Sequence, residues 1–388
     1  MVEYPIDESP TTEIGVSRDN MGNRIMTTAT SRGTVEQMLA CLPEDGARFR
    51  TICASVSDWS GIFESEQQDS VWGILYDHLG EAGIELPAAV KKSVEQRLVR
   101  EWLALLGART ALEEALSSLH TAGIRAVVLK GPVLAERLYL NPSVRSCSDI
   151  DLLVSLADLD QAAEALRAIG YRNDTGLLET YYRENHHHLP FYRPAATPID
   201  LHFHAMVGFG TVVPAAVLLE RARLHQRSVG QAAWVLAPED EVLYLLLHAA
   251  RHLFLDPLWL YDLKLYLRRY PDLDWPRIAD SASSLRVVSA LSLAFEVLER
   301  RLGVSVPGQT RFQPRHRWLA ACGRVAMAVT ARQPPGSGRE TAGRMLFRAL
   351  LCDQPVKSAW ALRTRLARFV RRRAQRCLSV IVPERWSA

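Results

Sequence analysis

The sequence predicts an α+β protein, in which a small mixed β-sheet with its helices is flanked by N- and C-terminal helical regions. Before residue 122 and beyond residue 205, apolar residues recur at three- and four-residue steps, which is the period of amphipathic helices. Between these regions, short β-branched or alternating runs are separated by single helical patterns, as in a small sheet covered by helices. The 388 residues, 48% of them hydrophobic, suffice for a buried core in two or three domains.

These patterns divide the chain into four segments. Residues 1–34 lack apolar periodicity and are rich in Thr, Ser, Asp and Asn, so we expect this segment to be disordered. Residues 35–122 form a helical N-terminal region, whose longest helical pattern contains a candidate break at Gly107. Residues 123–205 form the α/β core, and residues 206–388 form a helical C-terminal region.

The α/β core contains candidate strands that alternate with candidate helices. Each strand is short and β-branched or alternating, and each helix ends where further helix is disfavoured, before Pro142 or at Gly170. The helices have the sequences VLAERLYL and LADLDQAAEALRAIG. The predicted strands cover residues 124–129, 148–154, 188–192 and 198–204.

Helical patterns dominate the C-terminal region. Pro238 opens a strong helix that includes EVLYLLLHAARHLFL, and a second helix follows over WLYDLKLYLRRY. Further helices are predicted between about residues 284 and 378, interrupted by an exposed loop with the sequence RQPPGSGRE at 332–340.

The segment 357–377 is strongly basic and contains no acidic residue. Trp360, Leu366, Phe369 and Val370 give it an apolar stripe at helical steps, so we predict a terminal helix with one basic face. Three interpretations stay open: the helix docks on the body with its basic face in solvent, contacts RNA or another polyanion, or lies on an anionic membrane surface. Its basic residues are Lys357, Arg363, Arg365, Arg368, Arg371, Arg372, Arg373 and Arg376.

Composition and charge argue against several classes of protein. The net charge of +3 is too small to imply a nucleic-acid partner by itself. The N-terminus lacks the basic and then apolar pattern of a signal peptide, and there is no apolar run of about 18 residues to form a transmembrane helix. The six cysteines form no C-x-x-C pair, so we expect reduced thiols, no structural zinc site and a cytoplasmic location.

Asp149 and Asp151 are the first candidates for chemistry. On a strand their side chains would project to the same face, while Ile150 and Leu152 turn into the core. Two like charges this close are costly on an apolar strand, and a divalent cation removes that cost. Magnesium is typically held by one or two carboxylates together with substrate phosphates. A solvated turn edge is the alternative that the short pattern leaves open.

Lys130 and Gly131 directly follow the first predicted strand. A glycine between a strand and a helix lets the backbone come close to a phosphate, and the helix N-terminus adds a partial positive charge. The ammonium group of Lys130 would add a full charge. An ordinary strand-to-helix turn, which also favours glycine, is the alternative.

Asp200 lies in the sequence IDLH, on another alternating strand with apolar neighbours. If this strand pairs beside the strand at 148–154, three carboxylates converge. Such a set can hold two metal ions, which clamp the attacking and the leaving oxygen of a displacement.

The run VVLKGPVLAERLYLNPSVRSCSDIDLLV, followed by PIDLH, resembles the DNA polymerase beta superfamily of nucleotidyltransferases. More narrowly, it resembles a bacterial family described as uncharacterised nucleotidyltransferases, whose members show LKG, a Tyr, an Arg and then DIDLLV. That family's later His-rich helix is matched by LYLLLHAARHLF followed by WLYD. The resemblance covers roughly residues 90–270 and, more loosely, the helical remainder.

The resemblance implies a catalytic role for the three aspartates. Asp149, Asp151 and Asp200 would bind the catalytic metals, Mg²⁺ or Mn²⁺. Asp200 would also be the base or activator for the acceptor hydroxyl. His188, close to these residues in the predicted core, is expected to contact a phosphate or the acceptor.

The resemblance also implies a site for the triphosphate. Gly131 would lie beneath it, and Lys130 and Arg145 would neutralise phosphate charge, because phosphoryl-type transfer depends mainly on positioning and electrostatics. The wider superfamily usually has Gly-Ser in this loop, whereas Pro132 follows Gly131 here and the gap to Asp149 is longer. Either Lys130 replaces the serine or the nucleotide lies differently.

The implied reaction moves a nucleoside monophosphate from an NTP, with ATP as the expected nucleotide, to a hydroxyl group of a small molecule, peptide or protein. A nucleic-acid acceptor is not expected, because no recognisable RNA-binding module accompanies the core. A non-catalytic nucleotide-binding or scaffold module is the alternative from another class. The three clustered carboxylates argue against it, because a module without turnover has no reason to keep such costly charges.

Histidines are the remaining polar residues of interest. Residues 186–188 are disfavoured as a metal site, because consecutive side chains point in different directions and ligands must converge. His248 and His252 share a helical face at a spacing that zinc ligands use, and His202 and His204 are also available. No Glu follows His248 as in H-E-x-x-H, so we predict that this pair lines the groove between domains.

Overall fold

The computed structural model describes residues 32–63, 70–173, 182–183, 186–227, 230–307, 312–314, 316–334 and 336–354. Within these residues the predicted α+β class is confirmed: helical regions flank a six-stranded mixed sheet. The predicted disordered segment lies outside the described residues up to position 31, and a helix begins at 32. The basic segment at 357–377 lies wholly outside them.

The N-terminal region is helical, as predicted. The predicted break at Gly107 is wrong, because the longest helix continues through this residue for 34 residues. A single glycine costs an exposed helix about 1 kcal/mol, and the burial of Leu105 and Ala108 on either side offsets that cost. The helices are α1 (32–41), α2 (Gly46–Ala54), α3 (Trp59–Phe63), α4 (Trp72–Glu81) and α5 (Ala88–Thr121).

Eight strands are described, and six of them form the central sheet in the order β3-β4-β2-β1-β8-β7. The pairs β2–β4 and β1–β8 are parallel, and the other neighbours are antiparallel. The strands β5 and β6 form a separate antiparallel pair. The bounds are β1 (Val127–Val128), β2 (Ile150–Leu153), β3 (His188–Phe191), β4 (Ile199–His202), β5 (His204–Gly208), β6 (Thr211–Pro214), β7 (Arg223–His225) and β8 (Ala233–Val235).

Strands also occur beyond residue 205, where the sequence pattern predicted helix. The run at 198–204 is divided, since β4 ends at His202 and β5 starts at His204. The strands β7 and β8 are only three residues long, too short to show a two-residue period, yet they complete one edge of the central sheet. The predicted division of the chain into domains stays a prediction.

The remaining helices cover the sheet and build the C-terminal region. A short 3-10 turn (Pro142–Val144) follows the first helix of the core. The helices are α6 (Pro132–Leu138), α7 (Leu159–Ala168), α8 (Ala215–Arg221), α9 (Pro238–Arg251), α10 (Pro257–Arg269), α11 (Trp275–Leu285), α12 (Val288–Leu302), α13 (Arg317–Thr330) and α14 (Gly338–Leu350).

The central sheet separates two hydrophobic cores. Ile150 and Leu152 pack with α5 and α7 on one face, so the predicted burial of these two side chains is confirmed. Leu153 packs on the other face with residues of α9 to α12. Because side chains alternate along a strand, Asp151 lies on the same face as Leu153, towards α9. This face of the sheet carries the polar residues described below.

Two buried ion pairs connect the core to the C-terminal helices. Arg137 of α6 donates two hydrogen bonds of 2.7 Å to the carboxylate of Glu241 on α9. Arg145 lies just after the 3-10 turn and donates from Nε and Nη2 to Asp262 on α10, at 2.9 and 2.8 Å. The hydroxyl of Tyr139 donates to the same carboxylate at 2.7 Å. These contacts fix the segment between β1 and β2 against the helices that face it.

Candidate active site

The strands β2 and β4 bring two of the predicted aspartates together. They pair in parallel, with Asp151 directly opposite Asp200. This confirms the strand pairing on which the convergence of the three carboxylates depends. Asp149 precedes β2 by one residue and is about one-third exposed, whereas the side chain of Asp151 is buried.

Lys130 lies between Asp149 and Asp151. Its Nζ is 2.8 Å from Asp151 Oδ2 and 3.4 Å from Asp149 Oδ1, so both aspartates project to the same side, as the strand pattern predicts. The backbone brings Lys130 here, because Leu129 N donates to Asp151 O at 3.1 Å. One cationic side chain therefore balances part of the charge of the acidic pair.

Gly131 has a backbone conformation that its position requires. Its φ is +74°, in the left-handed region, and a Cβ there would lie 3.4 Å from Asp149 O and 3.5 Å from Cys147 Sγ. Any side chain would therefore be strained and would narrow the space beside Asp149. The absence of a side chain leaves the backbone after β1 open towards the aspartates.

Arg145 also lines the cleft, but its described partner is protein. It is buried, and its charge is balanced by the Asp262 carboxylate. Burial acts to lower the pKa of Arg145, yet the adjacent Asp262 raises it above the ordinary value, so the guanidinium stays charged. The phosphate contact predicted for Arg145 stays a prediction.

The carboxyl groups of Asp151 and Asp200 are electrically distinct. Burial acts to raise the pKa of Asp151, but the charge of Lys130 and a hydrogen bond with His202 hold it well below the usual value. Burial and the negative charge of Asp151 together raise the pKa of Asp200 to about 6. One group is therefore ionised throughout the physiological range, and the other titrates close to it.

Three histidines accompany the aspartates. His202 Nε2 lies 2.9 Å from Asp151 Oδ1, and His188 Nε2 lies 3.6 Å from Asp200 Oδ2. Ligand atoms of His187, His188 and His202 lie within 4.8 Å of one another. His187 precedes β3 in a bend and does not follow the strand alternation, so it lies beside His188 and His202, whereas His186 is not in this group. Whether the histidine run binds a metal stays a prediction. The sequence contains a signal for His202, because it lies two residues after Asp200 on the same strand and therefore projects to the same face.

These residues could hold a divalent cation. Asp151, Asp200 and His202 offer ligand atoms that all lie within 4.8 Å of one another, and two carboxylates supply the charge that such an ion needs. Asp149 is outside this set, with Lys130 as its described charged neighbour. Burial lowers the pKa of His188 to about 3, so this ring is neutral and able to donate a lone pair.

The aspartates and histidines line a cleft with a volume of about 580 Å³ between the sheet and helices α5, α9 and α10. The rings of His248, His252 and Trp259 pack together at centroid distances of 4.8–5.0 Å on its wall. Their position confirms that this histidine pair lines a groove. Further residues of the wall are Arg97 and Glu101, which lie outside the motifs, and Tyr244 and Arg251, which lie within the His-rich helix but were not predicted as site residues.

No disulfide joins the described cysteines, which are Cys41, Cys53, Cys147, Cys322 and Cys352. In the described part of the chain, none of the helices is apolar over a length sufficient to cross a bilayer.

Comparison with known proteins gives a family match. No curated protein matches the chain. A family model described as "uncharacterised nucleotidyltransferase" matches residues 55–303. The matched range extends from α3 through α12 and includes the whole central sheet and the cleft with its three aspartates. The chain therefore belongs to this family of uncharacterised nucleotidyltransferases.

Proposed function

We propose that the protein transfers a nucleoside monophosphate from an NTP, with ATP as the expected nucleotide, to a hydroxyl group of a small molecule, peptide or protein. The observation that carries the proposal is the pairing of Asp151 opposite Asp200 on adjacent parallel strands, with Asp149 beside them in the cleft. Family membership supports nucleotidyl transfer in general. We further propose the class of the acceptor and the dependence on a metal ion.

The aspartates would hold Mg²⁺ or Mn²⁺, which neutralises phosphate charge when bound. In the reaction, the acceptor oxygen forms a bond to the α-phosphorus, and the bond from that phosphorus to pyrophosphate breaks. Asp200 takes the proton from the acceptor hydroxyl, because its carboxylate lies in the cleft directly opposite Asp151, where the acceptor would bind. Asp151, which stays ionised, is a metal ligand without a role in proton transfer.

Lys130 and Gly131 would form the phosphate side of the site. Lys130 is held charged by its two aspartate neighbours, which raise its pKa against the effect of burial. Its ammonium group contributes a fixed positive charge to a loop in which Pro132 stands where the superfamily usually has a serine. Gly131 leaves space for the triphosphate next to the backbone. Positioning of this kind accounts for most of the catalysis in phosphoryl-type transfer.

The test is nucleotide transfer by the full chain with each labelled NTP, in the presence of Mg²⁺ or Mn²⁺ and cell extract. We expect metal-dependent release of pyrophosphate and a labelled acceptor that mass spectrometry identifies. Asp151→Asn should lower the rate by about 10³-fold, since a fixed charge at the reacting centre is lost. The matched control is Asp280→Asn on the exposed surface of α11, which should leave the rate unchanged.

Two outcomes would reject the proposal. Undiminished turnover by a variant with both Asp149→Asn and Asp151→Asn would show that these carboxylates are not the metal site. Binding of an NTP, measured by calorimetry, with no pyrophosphate release across a broad acceptor panel would favour the non-catalytic nucleotide-binding or scaffold module.

A further inference from the structure

His202 belongs to two overlapping groups of metal-ligating side chains. It shares one group with Asp151 and Asp200, and the other with His187 and His188. Within each group, the ligand atoms lie within 4.8 Å of one another. The site thus combines carboxylate oxygens with imidazole nitrogens, whereas the resemblance to the family implies metal binding by the aspartates alone.

The strand register explains why these side chains meet. Asp200 and His202 are two residues apart on β4, so they project to the same face as Asp151 on β2. His188 on β3 lies directly opposite His202 in the antiparallel pair. The meeting of imidazole and carboxylate groups is therefore fixed by the sheet.

The histidine nitrogens have unused bonding capacity. His202 is 3% exposed, and its Nδ1 is buried without a hydrogen-bond partner among the described residues. The same holds for Nδ1 of His188. Buried polar atoms normally have a partner, because leaving one unpaired costs free energy. The nitrogen of His202 that faces the carboxylates is Nε2, 2.9 Å from Asp151 Oδ1, so Nε2 is the atom available to a cation between them.

The charges around the cluster favour its carboxylate side. Arg251 Nη1 lies 3.2 Å from His187 Nδ1, so a cation bound next to His187 would meet a guanidinium charge. Asp151 and Asp200 instead contribute negative charge beside His202. A cation is therefore favoured between these two carboxylates and His202, with His188 at the edge of the same position.

We propose that His202 is a direct ligand of the cation held by Asp151 and Asp200, so that the site prefers first-row transition metals such as Mn²⁺ and Co²⁺ to Mg²⁺. This inference rests on the proposed function for the presence of a cation. Magnesium prefers oxygen ligands and retains several waters, whereas imidazole increases affinity for first-row transition metals. His188 is assigned as a positioning residue beside Asp200.

The decisive measurement is pulsed electron paramagnetic resonance of Mn²⁺ added alone to the full chain. Direct imidazole ligation predicts a nitrogen coupling in the spectrum, and this coupling should change to the ¹⁵N pattern when the protein is prepared with ¹⁵N-labelled histidine. Absence of a histidine nitrogen coupling from bound Mn²⁺ overturns the proposal. Turnover of NTP with Mg²⁺ is scored separately, and its presence or absence bears only on the proposed function.

Variants give a second readout that does not depend on activity. His202→Gln should weaken Mn²⁺ binding by at least about tenfold, while Mg²⁺ binding changes by less than about threefold. His120→Gln, at an exposed position near the end of α5, is the matched control and should bind both ions as the native protein does. Equal losses for Mn²⁺ and Mg²⁺, or no loss at all, contradict His202 as a nitrogen ligand.

His202 is buried, so each variant is first compared with the native protein by thermal unfolding. If His202→Gln is not folded, His188→Gln takes its place, since His188 is only half-buried at the start of β3. It should lower Mn²⁺ affinity by about threefold and alter the nitrogen coupling without removing it. An unchanged coupling and an unchanged Mn²⁺ affinity in this variant exclude the assigned position of His188.

Discussion

At the scale of single residues, Asp151 and Asp200 show how neighbours give identical side chains different properties. Both lie on the same face of the sheet, opposite one another. Lys130 and His202 contact Asp151 and stabilise its ionised form, whereas Asp200 is half-buried beside a negative charge. Such a separation of pKa values between neighbouring carboxylates is typical of functional sites.

The raised pKa of Asp200 leads to a prediction about metal binding. We expect the stabilisation by saturating Mn²⁺ to increase as the pH rises from about 5 to about 7, because a cation must displace the proton that Asp200 holds below its pKa of about 6. The measurement is the Tm with and without MnCl2 across this range. If the increase in Tm caused by MnCl2 does not vary with pH, protonation of Asp200 does not compete with metal binding.

Without metal, the same raised pKa has the opposite consequence for stability. Between the ordinary value of 3.8 and about 6, the folded state holds a proton that the unfolded state releases. The stability due to Asp200 therefore falls as the pH rises through this window. In the presence of a chelator, Asp200→Asn should match the native protein at low pH and exceed its free energy of unfolding by about 3 kcal/mol above about pH 7.

At the scale of elements, the segment between β1 and β2 carries most of the predicted site residues. It begins with Lys130 and Gly131, continues through α6, and returns to Asp149. The buried Arg145–Asp262 pair holds its second half against α10. Because Arg145 is four residues from Asp149, this pair also fixes the backbone from which Asp149 and β2 follow.

We expect Asp262→Ala to lower the free energy of unfolding by about 3–5 kcal/mol, because it leaves the buried guanidinium of Arg145 without its counter-charge. Tyr139→Phe removes only the hydroxyl that donates to Asp262 and should cost about 1 kcal/mol. Urea unfolding of both variants measures these values. If the two losses are equal, the ion pair is not the dominant contact of this segment.

At the scale of the whole molecule, the central sheet draws on a long stretch of sequence. The strand β8 lies directly beside β1, although more than one hundred residues separate them, and it covers an edge that would otherwise be unpaired. The face of β1 and β2 that carries Val127 and Leu153 packs on helices α9 to α12, which lie still further along the chain. Sheet and C-terminal helices therefore share one core.

This shared core predicts that residues 123–205 do not fold by themselves. The fragment lacks β8 and the helices that cover Val127 and Leu153, so it would expose an unpaired strand edge and an apolar face. We expect it to show no cooperative thermal unfolding and to bind a hydrophobic dye. A fragment over residues 32–354 should unfold cooperatively. Cooperative unfolding of the shorter fragment would establish the predicted core as an independent domain.

The sequence by itself determined the α+β class and the face on which the first two aspartates lie. These features are local, because a two-residue alternation such as that of Asp149 to Leu153 needs only neighbouring residues to be recognised. Most helix ends were also predictable, since proline and glycine change the backbone where they stand. At Gly107, however, a glycine predicted a break where the helix continues, because buried neighbours offset its weak helix propensity.

Only the tertiary structure decided which strands are neighbours. Asp151 lies opposite Asp200 because β2 pairs with β4, which is about fifty residues further along the chain. His202 lies between the carboxylates and the histidines because β4 also pairs with β3. The partner of Arg145 was equally invisible, because Asp262 lies on a distant helix. Such contacts arise from packing and strand pairing between remote segments, and no local period in the sequence records them.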